Sequence, residues 1–251
     1  MPENRDLYFE AAQAIRLAGS AVALTGAGIS VPSGIPDFRS PGGLWSRFDP
    51  QEVASVQALE SSPEKVWKFL LDALQVMLPA RPNPAHQSLA RLEEMGFLQA
   101  VITQNIDNLH QMAGSRKVIE FHGGIHNFYC HGCRKKYNAQ TAAELTEKDI
   151  PWLCTECSGV IRPAVVFFGE QIPEQALLET RRLVMSSDLM LIVGTSGEVA
   201  PAGTLPAWVK DRGGTVIEIN LGRTYFEGIT DIRVDEPAEK ALPAIIDALE
   251  D

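Results

Sequence analysis

The apolar run Ala21–Leu24 leads directly into Thr25-Gly26-Ala27-Gly28, and Pro32, Gly34 and Pro36 follow soon after. A short buried strand feeding a glycine turn is how α/β proteins bring backbone N–H groups to a phosphate. Gly26 and Gly28 permit a tight turn, and they lack the Cβ that would hold a pyrophosphate away. As a bare glycine pattern this also suits an ordinary tight turn. A plain dinucleotide crossover is not expected, because Val31 stands where the fingerprint has a third glycine or alanine. Pro32, Ser33, Gly34 and Pro36 stop any long helix after the turn. The next residues, Asp37-Phe38-Arg39-Ser40, form a charged and aromatic cluster in a Gly/Pro-rich loop. They read as a loop folded over a bound dinucleotide.

The same strand type recurs. Apolar runs at 98–103, 118–121, 165–168, 189–193 and 215–219 predict buried strands, with a weaker one at 229–234. Helices are expected over about 3–19, from Pro63 to before Pro79, and over about 85–95, 173–186, 201–211 and 237–249. The strands end in polar or glycine residues at 25–30, 103–107, 122–124, 194–196 and 220–224. In an open parallel sheet, ligands sit beyond the carboxyl ends of the strands, so these five termini should converge on one site. The expected class is α/β.

The formal net charge of −10 over 251 residues disfavours general nucleic-acid binding. No apolar run approaches about 20 residues, so no membrane span is expected. No basic start followed by an apolar stretch marks a secretory signal, and a cytoplasmic chain is the expectation. Four cysteines in a reducing compartment point to metal or redox chemistry before disulfides. Cys130-x-x-Cys133 and Cys154-x-x-Cys157 are separated by twenty residues, the spacing of two zinc knuckles. A redox pair or unrelated core cysteines are the alternatives. His126 and His131 could substitute as ligands, but four thiolates already close a structural site with no open position for water.

His122 follows a strand and precedes two glycines, which suits a general base, though a structural histidine would look the same. Gln104, Asn105 and Asp107 offer amide and carboxylate groups for ribose hydroxyls and a carboxamide. Helix capping is the plain reading of Asn108, and structural roles are expected for His110 and, at a helix N-terminus, His86. Thr195, Ser196 and Asn220 could bind phosphate or ribose.

These stretches together resemble the sirtuins, NAD-dependent protein lysine deacylases. The resemblance rests on Gly26-Ala27-Gly28-Ile29-Ser30, Gly34-Ile35-Pro36-Asp37-Phe38-Arg39-Ser40, Thr103-Gln104-Asn105-Ile106-Asp107 and His122-Gly123. It extends to the two CxxC pairs, Phe168-Gly169-Glu170, Gly194-Thr195-Ser196 and Asn220-Leu221-Gly222. The resemblance implies a Rossmann-like parallel-sheet domain (1–40, 96–122 and 163–251). A smaller inserted domain would combine a helical insertion (41–95) with a zinc ribbon (123–162). It implies that Gly26, Ala27, Gly28, Asp37 and Arg39 hold the pyrophosphate side of NAD, with Phe38 over the nicotinamide. Gln104, Asn105, Ile106 and Asp107 would orient the nicotinamide ribose and carboxamide. Gly194, Thr195, Ser196, Asn220 and Leu221 would line the adenosine half. Val166, Phe168, Gly169, Glu170 and Val199 would border an acyl-lysine peptide. Cys130, Cys133, Cys154 and Cys157 would hold one structural Zn2+.

The implied reaction moves the acyl group from lysine to ADP-ribose as nicotinamide leaves. His122 would be the base, with Asn105 and Asp107 as its catalytic partners. Relatives that prefer acidic acyl groups carry a Tyr-x-x-Arg pair where this chain has Leu70 and Ala73, so uncharged acyl groups are expected. Glu198 and Ala200 depart from the usual apolar peptide-bordering segment, and Glu198 would favour basic flanking residues or simply be solvated. NAD hydrolysis, ADP-ribosyl transfer and a non-catalytic NAD-binding regulator are the alternatives.

Overall fold

A computed structural model describes residues 4–38 and 43–251. Arg39 and Ser40, read above as part of the dinucleotide loop, lie outside the described residues. The strands in chain order are β1 (Ala21–Thr25), β2 (Ala100–Thr103), β3 (Val118–Glu120), β4 (Gly123–Cys130), β5 (Lys136–Asn138), β6 (Ile161–Val165), β7 (Leu189–Val193), β8 (Thr215–Ile219) and β9 (Ile232–Val234). The helices are α1 (Arg5–Leu17), α2 (Pro50–Val53), α3 (Val56–Ser61), α4 (Pro63–Met77), α5 (Pro84–Glu94), α6 (Leu109–Met112), α7 (Ala139–Ala143), α8 (Glu174–Ser186), α9 (Leu205–Lys210) and α10 (Ala238–Glu250).

Six strands form one parallel sheet in the order β3-β2-β1-β7-β8-β9. The chain starts in the middle, runs outward through β2 and β3, and returns beside β1 as β7. The order therefore reverses between β1 and β7, which opens a crevice beyond their carboxyl ends. Side chains alternate faces along these strands. Ala21 and Ala23 of β1 and Leu189, Leu191 and Val193 of β7 pack with residues of α1, α5 and α10. Val22, Leu24, Met190 and Ile192 face the other way, onto residues of α8 and α9. A sheet covered on both sides needs apolar residues at successive positions, which is why its strands read as unbroken apolar runs.

A second, antiparallel sheet has the order β5-β4-β6. Trp67 of α4 is fully buried against it and donates its indole N–H to Ile161 O at 2.9 Å. Its ring lies 6.3 Å from Phe128 and 6.0 Å from Trp152, so three aromatic rings join the helix to the sheet. The strand expected at 165–168 lies earlier, at Ile161–Val165, because those residues pair with β4. Residues 166–168 leave the sheet for other partners: Val166 N–H donates to His122 O, and Phe168 bridges to Ser55.

The turn after β1 is a 3-10 stretch, Ala27–Ser33, with Pro32 inside it and Gly34 closing it at φ 89°. Gly28 N–H donates to Gly194 O at 2.8 Å, so the β1 and β7 loops meet backbone to backbone. A Cβ on Gly28 would stand 2.8 Å from that oxygen, and one on Gly194 would stand 2.2 Å from Ile29 N. These glycines therefore let two loops touch.

Gly194 has φ 62° and Gly114 has φ 102°, but a Cβ on Gly114 meets nothing within 4 Å. Gly194→Ala should cost about 2–4 kcal/mol, overpacking added to left-handed strain. Gly114→Ala should cost only about 1–2 kcal/mol. Urea denaturation of both variants checks the difference, and equal losses would count against the loop contact.

Candidate active site

Hydrogen bonds tie the five strand-terminal segments together. Asn105 Nδ2 donates to Gly26 O at 3.1 Å, and Gln104 Nε2 donates to Thr195 Oγ1 at 2.8 Å. Asn220 Nδ2 donates to Thr195 O at 3.1 Å, and His122 Nδ1 lies 3.1 Å from Gln104 O. Residues 26, 104–105, 122, 195 and 220 are thus brought into one cluster at the switch point. A carbonyl oxygen can only accept, so His122 carries its proton on Nδ1 and keeps Nε2 as the basic nitrogen.

Ser30 is the junction beneath. Its hydroxyl donates to Asp107 Oδ2 at 2.7 Å and accepts from Asn105 Nδ2 at 3.1 Å. His86 Nε2 lies 3.5 Å away. His86 Nδ1 accepts the backbone N–H of Asn83, closing a capping box at the start of α5. Asp107 Oδ1 accepts the N–H of Leu109, so Asp107 does the capping expected of Asn108. Asn108 instead takes φ 64° with no side-chain cap bond. His110 is buried with Nε2 2.9 Å from Thr25 Oγ1.

The remaining expected residues frame the cleft. Asp37 and Phe38 are half-buried, and Asp37 O accepts from Leu44 N–H. Ile106 O accepts from Ile125 N–H, and Leu221 is exposed. Ser196 O accepts from Tyr225 N–H, and Val199 is half-buried, its carbonyl accepting from Gly203 N–H. On the opposite edge Phe168 is 39% exposed, held through its backbone by Ala54 O and Val56 N–H, and Gly169 has φ 90°. Glu170, expected at the peptide edge, turns inward. It makes a bidentate pair with the fully buried Arg162 at 2.6 and 2.7 Å and accepts from Phe167 N–H. Its carboxylate braces the 165–168 segment from behind.

The Sγ atoms of Cys130, Cys133, Cys154 and Cys157 lie within 4.8 Å of one another. A tetrahedral zinc–thiolate site has S···S edges of about 3.8 Å, so the four sulfurs fit one such ion. Tyr137 OH and the N–H of Glu156 donate to Cys154 Sγ. His131 faces Glu60 and His126 faces Glu120, so neither is needed as a ligand. The carboxamides of Gln104, Asn105 and Asn220 and the Asp107 carboxylate are polar groups of the kind that hydroxyls and a carboxamide can pair with.

The model of the Sir2 family matches residues 26–201. The chain belongs to the Sir2 family. It is 43% identical over 245 residues to an NAD-dependent protein deacylase of Thermococcus kodakarensis, covering 96% of this chain and 95% of that protein. A solved chain from work on the mechanism and regulation of Sir2 enzymes superposes with TM-score 0.92 at 38% identity, covering 98% of both chains. A Sir2 structure with a deacetylated p53 peptide and 3′-O-acetyl ADP ribose superposes with TM-score 0.89 at 40% identity, covering 95% of this chain and 96% of that one.

Burial shifts three histidines of this Sir2 chain toward the neutral form. Burial lowers His122, against the bond to Gln104, and burial lowers His110 well below the ordinary range, helped by nearby His86. Burial pushes His86 down to about 4. A proton on its Nδ1 would also face the N–H of Asn83. Burial raises the Asp107 carboxyl, opposed by its bonds from Leu109 and Ser30. Sequence reading missed Ser30 as a junction and Arg162 altogether. Only the Gly-Ile-Ser and Arg-Pro settings could have hinted at them.

The unfolded chain takes up a proton at His86 near 6.5, whereas the folded chain does so only near 4. The stability this group contributes is complete above about pH 6.5 and is lost as pH falls toward 4, on the order of 3 kcal/mol in all. Unfolding free energies from urea titrations at about pH 7.5 and about pH 5 should therefore diverge by about 2 kcal/mol from His86 alone. His86→Gln, which can still close the capping box, should reduce that divergence. An unchanged divergence would count against it. Stripping metal with a chelator under reducing conditions should lower the unfolding midpoint, and added Zn2+ should restore it. A midpoint insensitive to both would exclude a structural ion.

Proposed function

We propose that this Sir2 chain is an NAD-dependent protein-lysine deacylase acting on acetyl and other uncharged acyl groups. Its products are nicotinamide, free lysine and 2′-O-acyl-ADP-ribose. The observation that carries this reading is the hydrogen-bonded cluster at the switch point, where His122 is held by the Gln104 carbonyl and the adjacent Asn105 is joined to Asp107 through Ser30, in a chain similar to Sir2 proteins over nearly its whole length. It is supported by the deacylase named among its relatives and by the neighbour holding deacetylated peptide and the 3′ isomer of the product.

NAD, when bound, supplies a ribose activated by its nicotinamide leaving group. His122 Nε2 takes a proton from a ribose hydroxyl, and the Gln104 carbonyl keeps the ring in the tautomer that can do so. Such a base contributes about 10²–10⁴-fold. Asn105 and Asp107 orient the nicotinamide ribose and carboxamide, held in register through Ser30. Phe38 excludes water from the reacting carbon. Gly26, Ala27, Gly28, Asp37 and Arg39 would hold the pyrophosphate side, with Gln104 and Ile106 serving the nicotinamide end. Gly194, Thr195, Ser196, Asn220 and Leu221 lie along the adenosine half. Val166, Phe168, Gly169 and Val199 border the peptide, with Glu170 acting through Arg162.

Leu70 is buried and Ala73 half-buried on α4, so neither position offers a cation to an acyl carboxylate. Exposed Glu198 would favour basic flanking residues. The same proposal includes the two-domain division (1–40, 96–122 and 163–251 against 41–95 and 123–162), one structural Zn2+ on the four cysteines, and a cytoplasmic location. Among the described residues, no helix is long and apolar enough to cross a membrane.

The test is a product assay with NAD and acetyl-lysine peptide, read by mass spectrometry. Deacetylated peptide and acetyl-ADP-ribose should form in equal amounts, and His122→Ala should lower both by about 10²-fold or more. Nicotinamide release without peptide turnover would replace this reading with NAD hydrolysis or ADP-ribosyl transfer. NAD binding without any turnover would replace it with a non-catalytic regulator.

A further inference from the structure

Glu218, one residue from the end of β8, is fully buried. A buried carboxylate is costly unless its lone pairs are met, and here they are. Oε1 accepts from Asn220 Nδ2 at 3.1 Å and from Thr224 Oγ1 at 2.7 Å, and lies 2.9 Å from Arg233 Nη1. Oε2 accepts from Thr230 Oγ1 at 2.9 Å.

Both donors of the Asn220 amide are engaged inside the protein, one on Glu218 Oε1 and one on Thr195 O. Turning the amide over would set its carbonyl oxygen against a carboxylate oxygen and a peptide carbonyl, all acceptors. The surroundings therefore decide the amide's orientation. What Asn220 offers outside this set is Oδ1, an acceptor. Arg233, which would otherwise welcome an anion, has its guanidinium held by Glu218, Thr224 and the carbonyl of Gly222.

We propose that Glu218 is a positioning residue: by holding the Asn220 amide and Arg233, it makes the adenosine end of the site an acceptor surface that selects a free ribose hydroxyl over a phosphorylated one. A hydroxyl can donate to Oδ1, whereas a phosphate brings only more acceptor oxygens and charge. This inference rests on the NAD reading above.

The test is calorimetric titration with ADP-ribose and with 2′-phospho-ADP-ribose. The unaltered chain should bind the first and reject the second. Glu218→Gln keeps the Oε1 acceptor, and its amide can donate to Thr230, whose hydroxyl already reaches Phe226 O. It should hold ADP-ribose within about twofold. Replacing the pair together, Glu218→Leu with Arg233→Leu, leaves no buried charge behind and frees the Asn220 amide. Its ADP-ribose affinity should fall about fivefold to tenfold, with KM for NAD rising and kcat little changed. Asn220→Leu, which leaves Glu218 and Arg233 paired, should show the same loss and serves if the double variant does not fold. Unchanged affinity in either leucine variant, or an equal loss in Glu218→Gln, would overturn the inference alone. A chain that binds no ADP-ribose at all would overturn the NAD reading with it.

Discussion

The contact between the backbones of Gly28 and Gly194, 2.8 Å from nitrogen to oxygen, is what the rest of the site depends on. It docks the loop leaving β1 onto the loop leaving β7 at the one place where the sheet order reverses. With no side chains between them, the two loops bring Thr195 within reach of Gln104 and Asn220. An added Cβ at this contact would stand 2.8 Å from Gly194 O or 2.2 Å from Ile29 N, closer than the loops can tolerate without shifting apart.

The polar groups of the cleft are organised by layers behind them. Ser30 fixes both Asn105 and Asp107, and His86 fixes the start of the helix that carries it under Ser30. Glu218 accepts from the Asn220 amide and the Gln104 carbonyl accepts from His122: the first settles an amide orientation, the second a tautomer. Arg162 and Glu170 brace the backbone of residues 165–167. Burial makes each of these bonds worth more than it would be in water, and makes an unmet partner costly.

Much of the fold was legible because it is written locally. The strand at 21–25 announced itself as an apolar run ending at glycine. The clustered CxxC pairs announced themselves by spacing, and α4 by Ser62-Pro63 ahead of an apolar stripe. The 165–168 strand was misplaced because unbroken apolar runs carry no register: pairing with β4, far off in sequence, chose residues 161–165. Asn108 and Asp107 were exchanged as caps for a similar reason. Both residue types cap helices, and at φ 64° Asn108 makes no cap bond while Asp107 accepts from Leu109 N–H.

The sequence by itself determined the α/β class, the switch-point loop with its prolines, the four thiols and the candidates His122, Asn105 and Asp107. Those features rest on periodicity, turn chemistry and ligand spacing, which act between near neighbours. Only the tertiary structure decided that Gly28 meets Gly194, that Glu170 faces Arg162 and that Glu218 holds Asn220 and Arg233. Apart from the local Glu218–Asn220 step, those partners come from different strands and loops. A hydrogen bond formed across a folded core leaves no period in the chain to read.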